Sequence, residues 1–144
     1  MTAKEYLQRI RDAERELRTV EREYQRARDD ITNLKAMACD RDKVSSSRIG
    51  DLSDAIASLE KYAERVSAKM AALIAIREVA KNQLEQIKDW RYRAVLEQRY
   101  LLGESWEQIA AELGYTYRWV LRLHGKALQE FQKLAIESHI RSVL

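Results

Sequence analysis

Residues 104–128, ESWEQIAAELGYTYRWVLRLHGKAL, decide the fold of the C-terminal part of the chain. They predict a short helix, a tight turn and a second helix. The apolar residues of the first helix share one face: Ile109, Ala110 and Leu113. Gly114 can adopt the positive φ that a sharp reversal requires. Thr116 is the predicted N-cap of the second helix, because its hydroxyl can accept a hydrogen bond from a free backbone N–H.

The second helix combines an apolar stripe with a basic face. The stripe recurs at helical spacing and contains Val120, Leu123, Ala127 and Phe131. Arg118 and Arg122 point the other way, and no acid occurs between residues 115 and 128. This is the helix-turn-helix pattern, whose second helix enters the major groove of DNA. The alternative is a solvated basic face in an ordinary helical bundle.

The pattern predicts six residues that contact DNA: Thr116, Tyr117, Arg118, Leu121, Arg122 and Lys126. Arg118 and Arg122 would read guanine edges, because a guanidinium can bond bidentately to O6 and N7. Lys126 and the helix N-terminus at 116–117 would hold phosphates. Tyr117 and Leu121 would contact thymine methyl groups.

An unbroken heptad repeat predicts a long first helix over residues 3–38. One row of the repeat contains Ile10, Leu17, Tyr24 and Ile31, and the other contains Ala13, Val20, Ala27 and Leu34. Nearly all residues between these rows are charged. The stripe therefore needs a partner helix that removes it from water.

A second heptad helix is predicted over residues 52–88, with Asp51 as its N-cap. Two helices of matched length joined by a loop at 39–51 predict an antiparallel hairpin. The expected fold is therefore all-α. Residues 1–88 would form a long coiled-coil helical hairpin used for oligomerisation, and residues 89–144 a helix-turn-helix DNA-binding domain.

The middle of the second helix is apolar on two faces, so it needs a second neighbour. That neighbour is either the C-terminal domain, in a monomer that folds back, or a second copy of the chain. A homodimer is favoured because two-fold symmetry is the commonest oligomeric form. The predicted oligomerisation residues follow the heptads: Ile10, Leu17, Tyr24, Ile31, Leu59, Val66, Met70 and Leu73.

A supporting helix is predicted over residues 90–102, with Asp89 as its cap and Gly103 at its end. Trp106 is expected in the helix-turn-helix core. Trp119 would pack either on the supporting helix or against the sugar–phosphate backbone. His124 lies near the core direction, which predicts a packed, hydrogen-bonded histidine rather than a ligand.

Composition excludes several classes of protein. The 144 residues include no proline, four glycines and one cysteine, Cys39, with 34% charged residues. An internal disulfide is therefore impossible, and a reducing bacterial cytoplasm is the expected location. No signal peptide or membrane span is predicted. No catalytic set, metal cluster or phosphate loop is found, so we expect no enzyme, cofactor or small-molecule substrate. The net charge of +3 is compatible with nucleic acid.

The C-terminal residues also carry a family resemblance. Arg99-Tyr100, Ser105 to Ala110, Leu113 to Thr116 and Lys126-Ala127-Leu128 resemble the last DNA-binding domain of bacterial sigma factors, which reads the promoter −35 element. Tyr117-Arg118 and the run 122–128, RLHGKAL, are more similar to phage-encoded sigma-like transcription regulators of the ArpU and RinA type. Arg118 and Arg122 replace polar or acidic residues of sigma factors, so the resemblance does not imply a −35-like target.

The sequence therefore predicts a transcription regulator that binds double-stranded DNA as a homodimer. The resemblance implies that it is phage-encoded and that it contacts RNA polymerase of the bacterial host. The alternative is a coiled-coil adaptor between proteins, or a DNA-packaging subunit like a small terminase, which would bind DNA as a ring.

Overall fold

The computed structural model describes residues 1–39 and 46–143, with the side chains of 1–37 and 49–137. The fold is all-α, as predicted. The helices are α1 (Ala3–Cys39), α2 (Ser46–Leu84), α3 (Trp90–Leu96), α4 (Trp106–Leu113) and α5 (Tyr117–Val143). A π-helical segment, Glu97–Leu101, continues α3. Leu102 N donates to Glu97 O at 3.0 Å, which is the five-residue spacing of a π-helix.

The first helix begins and ends close to its predicted bounds, but the second does not. The prediction that Asp51 caps a helix starting at Leu52 is wrong, because α2 already begins at Ser46. Serine and glycine are weak helix formers, yet the cost of glycine is only about 1 kcal/mol. Extending an existing long helix offsets that cost more easily than starting a new one. Residues 40–45 of the predicted loop lie outside the described residues.

The chain divides into two compact units by its contacts. The rod unit is Ala13–Ala72, and the helix-turn-helix unit is Met1–Asp12 with Leu73–Leu144. The second unit is thus larger than the predicted domain of 89–144, because it includes the first turns of α1 and the last turns of α2.

In the rod unit, α1 and α2 form an antiparallel pair. Lys69 Nζ lies 2.8 Å from Glu16 Oε2, which joins the late part of α2 to the early part of α1. Leu17 and Ile31 of the heptad are buried, and Tyr24, Leu59 and Val66 are half-buried. The heptad residues of α1 are therefore covered within a single chain.

In the helix-turn-helix unit, the ends of the same two helices are more deeply packed. Leu7 and Ile10 of α1 and Leu73, Ala80 and Leu84 of α2 are all buried. Ile10 and Leu73, two of the predicted oligomerisation residues, are thus also covered by their own chain. Of the eight, Met70 is the one whose side chain remains 37% exposed. Oligomerisation through this set stays a prediction.

Candidate nucleic-acid interface

The first helix of the helix-turn-helix begins with a capping box. Ser105 Oγ accepts from Gln108 N at 3.2 Å, and Gln108 Oε1 accepts from Ser105 N at 2.9 Å. Two free N–H groups at the start of α4 are satisfied in this way. This cap was not predicted from the sequence, although Ser-x-x-Gln before an apolar run is its usual pattern.

The turn between α4 and α5 has the predicted conformation. Gly114 adopts φ +70°, and its N–H donates to Ala110 O. Tyr115 N donates to the same carbonyl at 3.0 Å. Thr116 Oγ1 accepts from Trp119 N at 3.2 Å, which confirms the predicted N-cap of α5. A residue with a Cβ at position 114 would strain this turn, because side chains disfavour positive φ.

The predicted stripe of α5 forms the core of the motif. Val120 and Leu123 are buried in one cluster with Val95, Ile109 and Ala110. Ala127 and Phe131 continue the buried side of α5. Trp106 and Trp119 pack against this cluster as partly buried residues. Trp119 therefore packs on the core of the motif, and its contact with the sugar–phosphate backbone stays a prediction.

His124 is a packed, hydrogen-bonded histidine, as predicted. Its side chain is buried, and Nε2 lies 2.8 Å from the Tyr100 hydroxyl. The Trp106 ring and the imidazole pack in a T-shaped arrangement, with centroids 4.6 Å apart. Burial, together with the nearby charges of Lys4 and Arg99, lowers the pKa of His124 to about 4. The imidazole is therefore neutral at pH 7.

All six predicted DNA-contacting residues have exposed side chains. Tyr117 is 46% exposed and Leu121 39%, high values for large apolar or aromatic residues. Thr116 is exposed as well, but its hydroxyl is already engaged in the cap of α5. Lys126 Nζ lies 5.6 Å from the centroid of the Trp119 ring, so its charge is held on one side of α5.

The two arginines that would read bases are free of the protein's own acids. Arg118 and Arg122 are exposed, and neither forms an ion pair or hydrogen bond with the part of the chain that the structure describes. Their spacing of four residues places them on the same face of α5. Their guanidinium groups are therefore available to an external ligand with acceptor atoms.

Two further arginines near the motif were not predicted from the sequence. The Arg99 guanidinium lies 4.2 Å from the centroid of the Trp106 ring and donates from Nη1 to Glu104 O at 3.0 Å. Arg11 Nη1 donates to Arg99 O at 3.4 Å. Burial lowers the pKa of Arg99, and the adjacent Arg11 charge acts in the same direction. No local sequence pattern indicates this pair, since 88 positions separate its members.

Comparison with known proteins found no match: no protein-family model, curated protein or solved structure corresponds to this chain. The resemblance to sigma-like regulators therefore stays a prediction. Within residues 1–39 and 46–143, no helix is both long and apolar enough to cross a membrane. No three His, Cys, Asp or Glu residues of the described chain are grouped to hold a metal ion.

Proposed function

We propose that this protein is a sequence-specific DNA-binding transcription regulator, phage-encoded and active in the cytoplasm of a bacterial host. The observation that carries the proposal is the free basic face of α5. Arg118 and Arg122 project from the second helix of a well-formed helix-turn-helix without acidic partners in the described chain. Unpaired guanidinium groups on such a helix fit the acceptor pattern of guanine in the major groove.

The other predicted contacts have complementary chemistry. Tyr117 and Leu121 are exposed on the same helix, where apolar groups can contact thymine methyls. Lys126 and the N-terminus of α5 supply positive charge for phosphates. In this proposal the arginines determine the sequence, and the lysine and helix N-terminus determine the position of the protein on the duplex.

The regulator would act as a homodimer, which doubles the contact with DNA. Exposed apolar residues of α2, among them Met70, supply surface that a second copy can cover. Three cations per subunit, taken twice, predict a slope of log K against log salt of roughly −5. Contact with host RNA polymerase is the part of the proposal that rests on the sigma resemblance alone.

The decisive experiment is selection of bound DNA from a random pool with the purified full-length protein. A single enriched motif is expected, and Arg122→Ala should cost about 1–3 kcal/mol of binding free energy and relax specificity at one base pair. Arg9→Ala removes the same charge from the exposed surface of α1 and serves as the matched control. A pool without enrichment, or unchanged binding by Arg122→Ala, contradicts the proposal.

A protein–protein adaptor or a packaging subunit is the second candidate. Ile74 and Val79 of α2 are 54% and 53% exposed, and an adaptor would bury such apolar residues against its partner. Light scattering of the purified protein separates the candidates. A dimer favours regulation, whereas a ring of many copies favours DNA packaging.

A further inference from the structure

The first turns of α1 pack directly on the helix-turn-helix. Ala3 N donates to Gln132 Oε1 of α5 at 2.7 Å, and the Tyr6 ring stacks with Phe131 at a centroid distance of 6.1 Å. Arg11 then reaches the π-helical segment through the 3.4 Å bond to Arg99 O. Because these contacts lie within one compact unit, the start of α1 is a fixed neighbour of the DNA-binding motif.

At this junction Arg11 contacts the backbone of Arg99 and lies close enough for their charges to interact. Arg11 and Arg99 are both half-buried, and neither forms an ion pair within the described chain. Glu107 and Tyr117 exert an electrostatic influence on Arg99, but neither bonds to it. Adjacent guanidinium charges repel each other, and partial burial strengthens the repulsion.

The contacts of Arg99 place it near the first residues of α4 and α5. Arg99 stacks on Trp106, the first residue of α4, and interacts electrostatically with Tyr117, the first residue of α5. In helix-turn-helix complexes the first helix crosses the phosphate backbone while the second enters the groove. Besides Arg11 and Arg99, Lys4 of α1 carries a positive charge near this part of the motif, since it acts electrostatically on His124.

We infer that Arg11 and Arg99 form a phosphate-binding site, through which α1 holds a phosphodiester of the DNA strand that flanks the groove read by α5. This inference rests on the proposed function and extends its interface to a second helix. A phosphodiester carries one negative charge shared by two non-bridging oxygens, so a phosphate between the two guanidinium groups would offset the repulsion between them. Each guanidinium has five N–H donors, and the pair uses only two in the contacts described above.

Arg11 is the better residue to change, because Arg99 also supports the loop before α4 through Glu104 O. The hydrogen bond from Arg11 to Arg99 O is long at 3.4 Å, so its loss should leave the fold intact. Arg9 is exposed and lies on the opposite side of α1, two residues away. Arg9→Gln therefore removes the same charge from the same helix without touching the site.

The test is a salt titration of DNA binding by the full-length protein and its Arg11→Gln, Arg11→Lys and Arg9→Gln variants. For each engaged subunit, Arg11→Gln should weaken binding about eightfold at 0.1 M salt and reduce the salt slope by about 0.9. The loss should be equal for specific and random duplexes, because phosphates carry no sequence information. Arg11→Lys should retain most of the affinity, and Arg9→Gln should bind like the wild type.

The possible failures are distinguishable. If Arg11→Gln binds like Arg9→Gln while Arg122→Ala loses specificity, the phosphate site is refuted and the regulator stands. If Arg11→Lys loses as much affinity as Arg11→Gln, the contact is not electrostatic and the inference is equally refuted. If the wild-type protein binds no duplex at all, both the inference and the proposed function are wrong.

Discussion

The two compact units use the same helices in different ways. In the rod unit, Leu17 and Ile31 are the buried apolar residues of the described part, and most side chains remain in water. In the helix-turn-helix unit, five elements meet, and residues such as Leu7, Val95 and Leu123 are fully enclosed. Two helices alone can bury only one stripe each, whereas several helices crossing one another enclose a core.

This difference indicates how the free energy of folding is distributed. A side chain enclosed on all sides leaves a cavity when it is shortened, and a side chain at the edge of a two-helix stripe does not. The experiments can follow the units separately because all three tryptophans, Trp90, Trp106 and Trp119, lie in the helix-turn-helix unit. Tryptophan fluorescence therefore reports that unit, and helical circular dichroism reports the whole chain.

The largest expected effect is that of Leu123→Ala. The Leu123 side chain is 1% exposed and lies in the core cluster, so its truncation should lower the free energy of unfolding by about 3–4 kcal/mol. Leu17→Ala, at 5% exposure in the rod unit, should cost about 2 kcal/mol, since the two-helix site can collapse or admit water. Urea unfolding followed by both signals measures the two losses. A larger loss for Leu17→Ala would contradict the comparison.

The second-largest expected effect is a loss of folding stability in acid. His124 has a pKa of about 4 in the folded chain against an ordinary value of 6.5, so between these values the unfolded chain binds a proton that the folded chain does not. Stability is therefore retained above pH 6.5 and falls as the pH drops towards 4. Between pH 7 and pH 5 the loss should be about 2 kcal/mol.

His124→Gln supplies the control for this acid effect, because an amide can bond to Tyr100 and does not titrate. Its unfolding free energy should change little between pH 7 and pH 5. Burial and the nearby Glu112 raise the pKa of Glu104, so the contribution of Glu104 to stability changes with pH in the direction opposite to that of His124. This contribution is the same in the wild type and in His124→Gln, and it cancels when the two are compared. The effect should appear in tryptophan fluorescence. An equal pH dependence in wild type and His124→Gln would show that His124 is not the group responsible.

The elements that could be predicted from the sequence are those with local causes. The heptads define α1 and α2, and Gly114, Thr116 and the stripe of α5 define the helix-turn-helix. Each of these depends on the residue itself and on neighbours within one or two turns. The exposure of Arg118 and Arg122 could be predicted in the same way, because a helix with one apolar stripe presents its other face to solvent.

What could not be predicted depends on residues distant in sequence. The packing of Tyr6 on Phe131 and the meeting of Arg11 with Arg99 join parts of the chain that no periodicity connects. The start of α2 at Ser46 differs from the prediction for another reason: serine and glycine are weak helix formers and predict a break, but the helix continues through them. The interface proposed for α1 could therefore be recognised only in the folded chain.

The smallest expected effect is in the rod unit, at the ion pair of Lys69 and Glu16. The charged atoms are 2.8 Å apart, but the side chains are 47% and 62% exposed, so water and salt screen their attraction. A double-mutant cycle with Lys69→Ala and Glu16→Ala should give a coupling energy of about 0.2–1 kcal/mol that declines towards zero in 1 M salt. A larger coupling that persists in high salt would mean that charge, rather than the heptad stripe, holds the two helices together. Since α1 carries charges at most positions outside its stripe, a second copy would then be expected to bind the charged faces of the rod rather than the exposed apolar residues of α2.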